Sequence, residues 1–291
     1  MRLYLDNISK SYGKTKALSG FSVELEAGIY GLLGPNGSGK STLINIITDN
    51  LKADSGRILF TDGDSEAEDT LKMGQRFRSK LGYMPQYPGL YPNYTVEQFM
   101  FYMAMLKGVP KADAEKQIPD LLGAVELLGE KKRKIGAMSG GMKQRLCLAQ
   151  AMLGDPSVII LDEPTAGLDP KQRIAVRNYI SKAAFNKIVL IATHVVSDVE
   201  YIANKIIILK KGAVIDCAPP RELSEKIKKK VWNLSCSEAD VSALQNKYRV
   251  TGIAKKEHGV VLRIFSDTAP DEKAVAAVPT LEDYYLWEFG N

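Results

Sequence analysis

The stretch GPNGSGKST at residues 34–42 determines how the rest of this chain is interpreted. The apolar run IYGLL at 29–33 comes directly before it and is typical of a buried β-strand. Directly after it, the apolar residues within 43–47 have the spacing of the buried face of a helix. The sequence therefore predicts a strand, a glycine-rich turn and a helix in direct succession.

Four residues of this stretch, Gly34, Gly39, Lys40 and Ser41, fit the phosphate-binding pattern G-x-x-x-x-G-K-[ST]. Glycines let backbone amides come close to an anion, and the N-terminal end of the following helix adds positive potential. In this pattern the lysine meets the β- and γ-phosphates, and the hydroxyl ligates Mg²⁺. A glycine turn of purely structural use is the alternative, which the flanking strand and helix disfavour.

The run VIILDE at 158–163 complements the phosphate loop. A phosphate cradle needs a carboxylate on a neighbouring strand to position the water shell of Mg²⁺, and Asp162 ends an apolar strand. Glu163 follows directly and could act as a general base near the γ-phosphate. Acidic residues often end strands, so this run alone is weak support. Together with the phosphate loop it predicts a site of nucleotide hydrolysis.

Length and composition limit the class of protein. The 291 residues, 45% hydrophobic and 25% charged, are typical of a soluble globular chain of about two domains. A net charge of +5 is too small to indicate nucleic-acid binding, and three widely spaced cysteines fit reduced thiols. The sequence shows no secretion signal, and its apolar stretches are far shorter than the roughly 20 residues that cross a bilayer. If the protein acts at a membrane, another chain must cross it.

The pattern of elements predicts a β-rich and α/β core interrupted by a helical insert at about 86–154. Residues 61–80 are expected to be a surface connection. From residue 216 the chain changes character, and a small α+β domain is expected over 216–291. Its predicted helices lie at 239–246, 271–277 and 281–289.

The sequence MSGGMKQR at 138–145 is the most specific feature of the chain. With the motifs above, it makes residues 1–215 resemble the nucleotide-binding subunits of ATP-binding cassette (ABC) transporters, whose signature sequence it is similar to. The resemblance implies an α/β P-loop NTPase (RecA-like) core with an N-terminal antiparallel β subdomain, a helical subdomain and ATP hydrolysis with Mg²⁺. It also implies that Ser139, Gly140 and Gly141 reach the γ-phosphate of ATP on a second subunit. Met142 stands where the family usually has glutamine, which leaves those three residues intact.

Four further residues match the family by position. Gln86 stands at the glutamine that contacts Mg²⁺ and couples to the membrane partner, and His194 at the switch histidine that contacts the γ-phosphate. Asp169 in AGLDP matches the residue that reaches across the dimer, and Tyr12 the aromatic residue that stacks on adenine. Taken singly, Gln86 is an ordinary loop residue, His194 a capping or core histidine and Tyr12 a surface aromatic residue. The common order of the motifs favours the family roles.

The predicted site follows from these matches. The resemblance and the motifs assign catalysis to Glu163, His194, Lys40 and Gln86, and metal binding to Ser41, Gln86 and Asp162. The predicted nucleotide contacts are Tyr12, Gly34, Pro35, Asn36, Gly37, Ser38, Gly39, Lys40, Ser41, Thr42, Ser139, Gly140, Gly141 and Asp169.

The resemblance also implies partners. The signature residues serve a neighbouring nucleotide, so a homodimer or a pair of related cassettes is expected to close around two ATP molecules. A separate transmembrane permease is expected to hold the protein at the cytoplasmic face of the cell membrane. It would dock on the insert, where residues 87–94 and 99–106 are rich in aromatic residues and methionine. The alternative is that these residues pack the core of the insert itself.

The direction of transport depends on weaker signals. The signature and the tail PTLEDYYLWEFGN at 279–291 resemble the bacterial type-2 exporter class, which exports antimicrobial peptides, drugs and glycans. An ABC importer subunit, and a soluble ABC ATPase acting on ribosomes or DNA, are the alternatives. The latter usually has two cassettes, a coiled-coil insertion or zinc-binding cysteines, which this sequence lacks, so no nucleic-acid partner is expected. The role of residues 216–291 stays open.

Overall fold

A computed structural model describes residues 1–63, 65–256 and 259–290 of the chain. The chain divides into two compact units, Met1–Cys217 and Ala218–Asn291. Asn291, the last residue of the tail considered above, lies outside the described residues. Each unit has its own sheets and is described by itself.

The first unit contains two β-sheets and the helices that cover them. Its strands are β1 (Arg2–Tyr12), β2 (Thr15–Glu26), β3 (Gly28–Leu33), β4 (Ser55–Thr61), β5 (Glu68–Asp69), β6 (Leu81–Met84), β7 (Val158–Asp162), β8 (Ile188–Ala192), β9 (Lys205–Lys210) and β10 (Ala213–Ala218). Its α-helices are α1 (Lys40–Ile47), α2 (Thr70–Met73), α3 (Gln75–Ser79), α4 (Val96–Leu106), α5 (Lys111–Ala124), α6 (Gly140–Ala151), α7 (Pro170–Ala183) and α8 (Val196–Glu200).

The larger sheet positions the phosphate loop. Its order is β10-β9-β3-β8-β7-β6, and the paired strands from β9 to β6 run parallel. β3, β7 and β8 are buried along almost their whole length, as is usual for strands covered on both faces. Because these strands are parallel, their carboxyl ends meet at one edge of the sheet, where open α/β sheets bind ligands. The loops that follow them begin at Gly34, Glu163 and Thr193.

The smaller sheet, β2-β1-β4-β5, is antiparallel and shares a core with the larger one. Leu3 and Phe21 of the smaller sheet, Leu43 and Ile47 of α1 and Ile160 of β7 belong to a single buried cluster. The apolar residues that the sequence places on one face of α1 are therefore the residues that pack in the core shared by the two sheets. This architecture confirms the predicted α/β class with an antiparallel N-terminal part.

Three helices, α4, α5 and α6, follow one another between β6 and β7 and contact each other. α4 begins with a capping box, in which Thr95 and Gln98 bond each other's backbone amides. It buries Phe99 and Met100, whereas Leu106 at its end is exposed. The helix therefore keeps part of its apolar surface uncovered.

Residues 65–80 have more secondary structure than the predicted surface connection implied. They contain β5, α2 and α3, and Phe77 of α3 is buried against Phe60, with ring centroids 5.6 Å apart. The sequence did not indicate these elements, because helices of four and five residues are too short to show a hydrophobic period.

The second unit is a four-stranded antiparallel sheet with helices. Its elements are α9 (Pro220–Glu225), β11 (Val231–Cys236), α10 (Val241–Lys247), β12 (Arg249–Lys256), β13 (Gly259–Phe265), β14 (Val275–Ala276) and α11 (Leu281–Phe289), and the strand order is β12-β13-β11-β14. The buried cluster on one face of the sheet includes Leu234 and Leu262, which lie opposite each other in the strand register.

The ends of α11 are held by two arginines. At its start, Asp283 closes a capping box with Thr280 and pairs with Arg263 of β13. At its end, the guanidinium of Arg249 donates hydrogen bonds to the carbonyls of Leu286 and Gly290. The ring of Trp287 lies 4.6 Å from the Lys230 ammonium and 5.9 Å from the Arg249 guanidinium. Cationic side chains therefore surround this helix.

The predicted helix at 271–277 is wrong. Val275 and Ala276 form β14 and pair with Asn233 and Trp232 of β11. The segment contains good helix formers, but pairing with the edge of the sheet overrides that local preference.

Candidate active site

The phosphate loop joins β3 to α1. Gly37 and Gly39 have φ of 77° and 109°, which side-chain-bearing residues rarely adopt. A Cβ on Gly39 would lie 2.4 Å from the carbonyl oxygen of Ala17, and one on Gly34 would lie 2.3 Å from that of Leu209. The loop can close this tightly only with glycine at these positions.

The Lys40 ammonium lies inside this loop. Its Nζ donates hydrogen bonds to the carbonyl oxygens of Gly34, at 2.6 Å, and Pro35, at 3.2 Å. Burial lowers the pKa of Lys40, while the negative charges of Glu163 and Asp162 act in the opposite direction. The first-turn amides of α1 have no acceptor within their own helix, so they and the ammonium form a cradle for anionic oxygens. This donor set fits the phosphates of a nucleotide.

The remaining loop residues lie around this cradle. The exposed part of the loop consists of Pro35, Asn36 and Gly37. Ser41 and Thr42 belong to the first turn of α1. The Ser38 hydroxyl is buried and has no hydrogen-bond partner within the described part of the chain. A bound oxyanion would supply acceptors that the loop lacks on its own.

The Glu163 carboxylate is fixed at both oxygens. Glu163 follows β7 with φ of 51° and is 6% exposed. Its Oε1 accepts from the backbone N–H of His194 at 3.0 Å and lies 2.7 Å from Nδ1 of the same residue. Its Oε2 accepts from the Thr193 hydroxyl at 3.0 Å, and Gln144 donates to its carbonyl at 2.8 Å. These bonds offset the left-handed backbone and hold one carboxylate orientation.

Asp162 ends β7 and lies near Lys40 and Glu163. Burial, followed by repulsion from Glu163, raises the pKa of Asp162 to about 6, against an opposing effect of Lys40. No cluster of three or more His, Cys, Asp or Glu side chains suited to a metal occurs among the described residues. Mg²⁺ normally keeps several waters and uses only one or two carboxylates, so the Asp162 carboxylate and the Ser41 hydroxyl in the first turn of α1 are ligand types that fit Mg²⁺ chemistry.

The signature residues begin α6. The Ser139 hydroxyl caps the helix by accepting from the Met142 N–H at 3.3 Å. A Cβ on Gly141 would lie 2.8 Å from Oε1 of Gln172, whereas Gly140 faces open space. Within the described part of the chain, no hydrogen bond joins these residues to the phosphate loop.

Three other predicted residues lie apart from the carboxylates. Asp169 caps α7 by accepting from the Gln172 N–H at 2.8 Å, and it is exposed. Gln86 is exposed, two residues beyond β6, and Tyr12 is 52% exposed at the end of β1. The structure thus brings together Lys40, Asp162, Glu163 and His194, and leaves these three residues on the surface.

Two further residues, Thr193 and Gln144, contact Glu163 but were not predicted from the sequence. Both touch Glu163, one through the carboxylate and the other through the backbone carbonyl. A signal existed for Thr193, because it is the polar residue that ends the apolar strand before His194. Gln144 lies within the octapeptide at 138–145, but its contact with β7 requires the folded arrangement.

Comparison with known proteins agrees with this geometry. The family model described as ABC transporter (ABC_tran) matches residues 18–166. This chain belongs to the ABC transporter family. It is an ATP-binding subunit of the ABC type, and the prediction of an ATP-hydrolysing cassette is confirmed.

Three curated relatives cover most of this ABC subunit. It is 33% identical over 255 residues to the uncharacterized ABC transporter ATP-binding protein YxlF of Bacillus subtilis (strain 168), covering 87% of this chain and 83% of YxlF. It is 32% identical over 282 residues to the linearmycin resistance ATP-binding protein LnrL of the same organism, covering 95% and 88%. It is 33% identical over 221 residues to the Nod factor export ATP-binding protein I of Burkholderia orbicola (strain AU 1054), covering 75% and 71%.

Solved structures resemble this ABC subunit in fold. An ATP-binding subunit of an ABC transporter has a TM-score of 0.70 and 25% identity, covering 78% of this chain and 93% of its own. The dimeric bacterial ABC transporter cassette MJ0796 has a TM-score of 0.66 and 27% identity, covering 75% and 98%. None of the helices formed by the described residues has the length and apolar character needed to span a bilayer.

Proposed function

We propose that this chain is the ATPase subunit of an ABC exporter, in which two cassettes close around ATP and drive a separate membrane permease. The observation that carries hydrolysis is the Glu163 carboxylate, which Thr193 and His194 hold beside Lys40. The names of LnrL and the Nod factor protein support export or resistance. The proposed cargo class is an antimicrobial peptide, drug or glycan.

Each part of the candidate active site has one task in this proposal. Lys40 and the first-turn amides of α1 bind the phosphates and stabilise the charge that develops during transfer. Glu163 accepts a hydrogen bond from the attacking water and takes its proton, and His194 orients the γ-phosphate. Ser41, Asp162 and Gln86 would hold Mg²⁺, which would supply additional positive charge at the phosphates. Tyr12 stacks on the base.

A second cassette completes the site. Ser139, Gly140 and Asp169 are exposed at the starts of α6 and α7, where helix N-termini favour anions. The solved MJ0796 cassette is a dimer. In this proposal the α6 amides contact the γ-phosphate bound by the partner, so ATP closes the pair and hydrolysis releases it.

The permease docks on the helical insert and holds the protein at the cytoplasmic face of the membrane. Tyr87 is 85% exposed, and Tyr91 and Tyr94 stack with ring centroids 5.2 Å apart at the surface. Phe99 and Met100 are buried instead, so part of the expected docking set packs the insert itself. The exposed tyrosines support a partner surface on this side.

The test of hydrolysis is the variant Glu163→Gln. It should bind ATP and accumulate dimers, while steady-state turnover falls by about 10² to 10⁴-fold, because the general base is lost. Radiolabelled ATP hydrolysis and size-exclusion chromatography measure the two effects. Glu115→Gln, an exposed change on α5, is the matched control and should keep wild-type turnover. Normal hydrolysis by Glu163→Gln would sink this assignment of the base.

The same variant tests export in cells. A strain lacking this chain should become more sensitive to one or more compounds of an antimicrobial panel. Wild-type protein should restore resistance, and Glu163→Gln should not. Unchanged sensitivity with poor growth on a limiting nutrient would favour an importer, and hydrolysis stimulated by ribosomes or DNA would favour the non-transport alternative.

A further inference from the structure

A cleft of about 550 Å³ opens between the larger sheet and the helical insert. Its apolar walls include Leu90, Phe99, Met103 and Leu106. Two cationic side chains, Arg78 and Lys107, also line it. We call this space the insert cleft. Its size and its apolar walls suit one turn or more of a partner helix.

The two cationic side chains differ in whether a carboxylate neutralises their charge. Arg78 donates to the Asp49 carboxylate at 2.8 Å and is therefore paired. Lys107 follows α4, and its Nζ donates to the backbone carbonyl of Leu153 at 2.5 Å. Burial, followed by repulsion from the nearby Lys187, lowers the pKa of Lys107 to about 8. No carboxylate pairs with Lys107 within the described part of the chain.

The charged residues that line the insert cleft are all positive. Its other polar members, such as Gln75, Ser79 and Gln150, are neutral, and none of the described residues that line it is Asp or Glu. A purely apolar helix placed here would remove the remaining water from the Lys107 ammonium without replacing it. That step is unfavourable, because a charge buried without a partner loses its hydration. A carboxylate on the incoming helix would reverse the balance.

We propose that the permease helix seated in the insert cleft carries an acidic side chain within its apolar face, and that this carboxylate pairs with Lys107. The inference rests on the proposed function, which supplies the membrane partner. A neutral helix would leave the ammonium unpaired, so the pair selects among possible partners. Lys107 otherwise has only the structural task of capping the carbonyl of Leu153.

The test uses designed helical peptides of about 14 residues, with one Leu/Phe face and a single central Glu, Gln or Lys. Fluorescence anisotropy measures their binding to the full-length chain. The Glu peptide should bind about tenfold more tightly than the Gln peptide, and the Lys peptide should bind least. This preference should vanish in Lys107→Met and be kept in Lys107→Arg and in the matched control Lys116→Met on α5. Lys107→Gln replaces Lys107→Met if that variant does not fold.

Three outcomes overturn the proposal: no measurable binding of the Glu peptide, equal binding of the Glu and Gln peptides, or a preference that survives in Lys107→Met. The measurement needs neither a permease nor ATP turnover. Failure of the proposed function is read elsewhere, from full activity of Glu163→Gln or from hydrolysis driven by nucleic acid. The two failures are therefore distinguishable.

Discussion

The Thr193 hydroxyl makes two hydrogen bonds next to the candidate base, although Thr193 belongs to none of the sequence motifs. It donates to Oε2 of Glu163 at 3.0 Å and accepts from the N–H of Val195 at 3.0 Å. Thr193 itself is completely buried. A buried carboxylate that lost this donor would have one oxygen unsatisfied and a freer orientation.

Thr193→Val tests this dependence with little change of shape. We expect kcat to fall by about tenfold to a hundredfold, since a buried hydrogen bond of about 1–3 kcal/mol positions the base. KM for ATP should change by less than about twofold, because the hydroxyl bonds Glu163 rather than the phosphate loop. Thr193→Ser keeps the donor and should retain most of the activity. Equal losses in the two variants would contradict a hydrogen-bonding role.

Lys107 gives the chain a measurable pH dependence. Its pKa is about 8 when folded and 10.5 in the reference state, so the folded form binds this proton more weakly. The cost, about 3 kcal/mol, is fully present below pH 8 and disappears as the pH rises toward 10.5. Lys107→Met should therefore be more stable than wild type at pH 7, with the difference shrinking at high pH. Urea unfolding at pH 7 and pH 10 measures it, and a constant difference would contradict the argument.

The sequence predicted those site residues whose type carries their chemistry. A lysine after a glycine turn and two carboxylates at a strand end are recognisable without a structure, so Lys40, Asp162 and Glu163 could be proposed from the sequence. Thr193 and Lys107 could not, because threonine and lysine are common residues. Only burial and the distances to Glu163 and Leu153 distinguish these two.

At the scale of elements, α11 depends on charges at both ends. Asp283 is 3% exposed and pairs with Arg263, whose guanidinium also donates to the carbonyl of Val278 at 2.8 Å. The helix was predicted with its observed bounds, because its capping and apolar residues are local in sequence. The segment 271–277 was not, because its state depends on an edge strand far away in the sequence.

Asp283→Ala should destabilise the second unit. It removes the capping box and leaves the Arg263 guanidinium without its carboxylate, a loss of about 2–3 kcal/mol after allowing for solvent at Arg263. Scanning calorimetry should show a lower transition temperature for that unit. Glu272→Ala, an exposed change in the same unit, should leave the transition within a degree or so. Similar shifts for both variants would mean that the Arg263 pair contributes little.

At the scale of the whole molecule, the phosphate loop predicted more of the fold than its length suggests. A strand, loop and helix of this kind require a parallel sheet, and β3 is one of its two central strands. The order of the sheet was beyond the sequence, because β3 pairs with β8 and β9, which lie more than 150 residues later.

The division into two units predicts that the first folds without the second. A chain ending at Cys217 contains the phosphate loop, both carboxylates and the signature helix, so it should bind ATP with a Kd within about threefold of the full chain. Isothermal titration calorimetry with Glu163→Gln in both backgrounds measures this without turnover. Loss of binding by a folded fragment would show that residues 218–291 contribute to the site.

The position of Trp287 has an optical consequence. The two tryptophans of the chain, Trp232 and Trp287, both belong to the unit Ala218–Asn291, whereas the nucleotide loop belongs to the other unit. Indole emission is sensitive to nearby cations, and Trp287 has two of them. A change in emission on adding ATP would therefore come from the unit that does not contain the loop. The native chain thus carries a label-free fluorophore for signals that pass from one unit to the other.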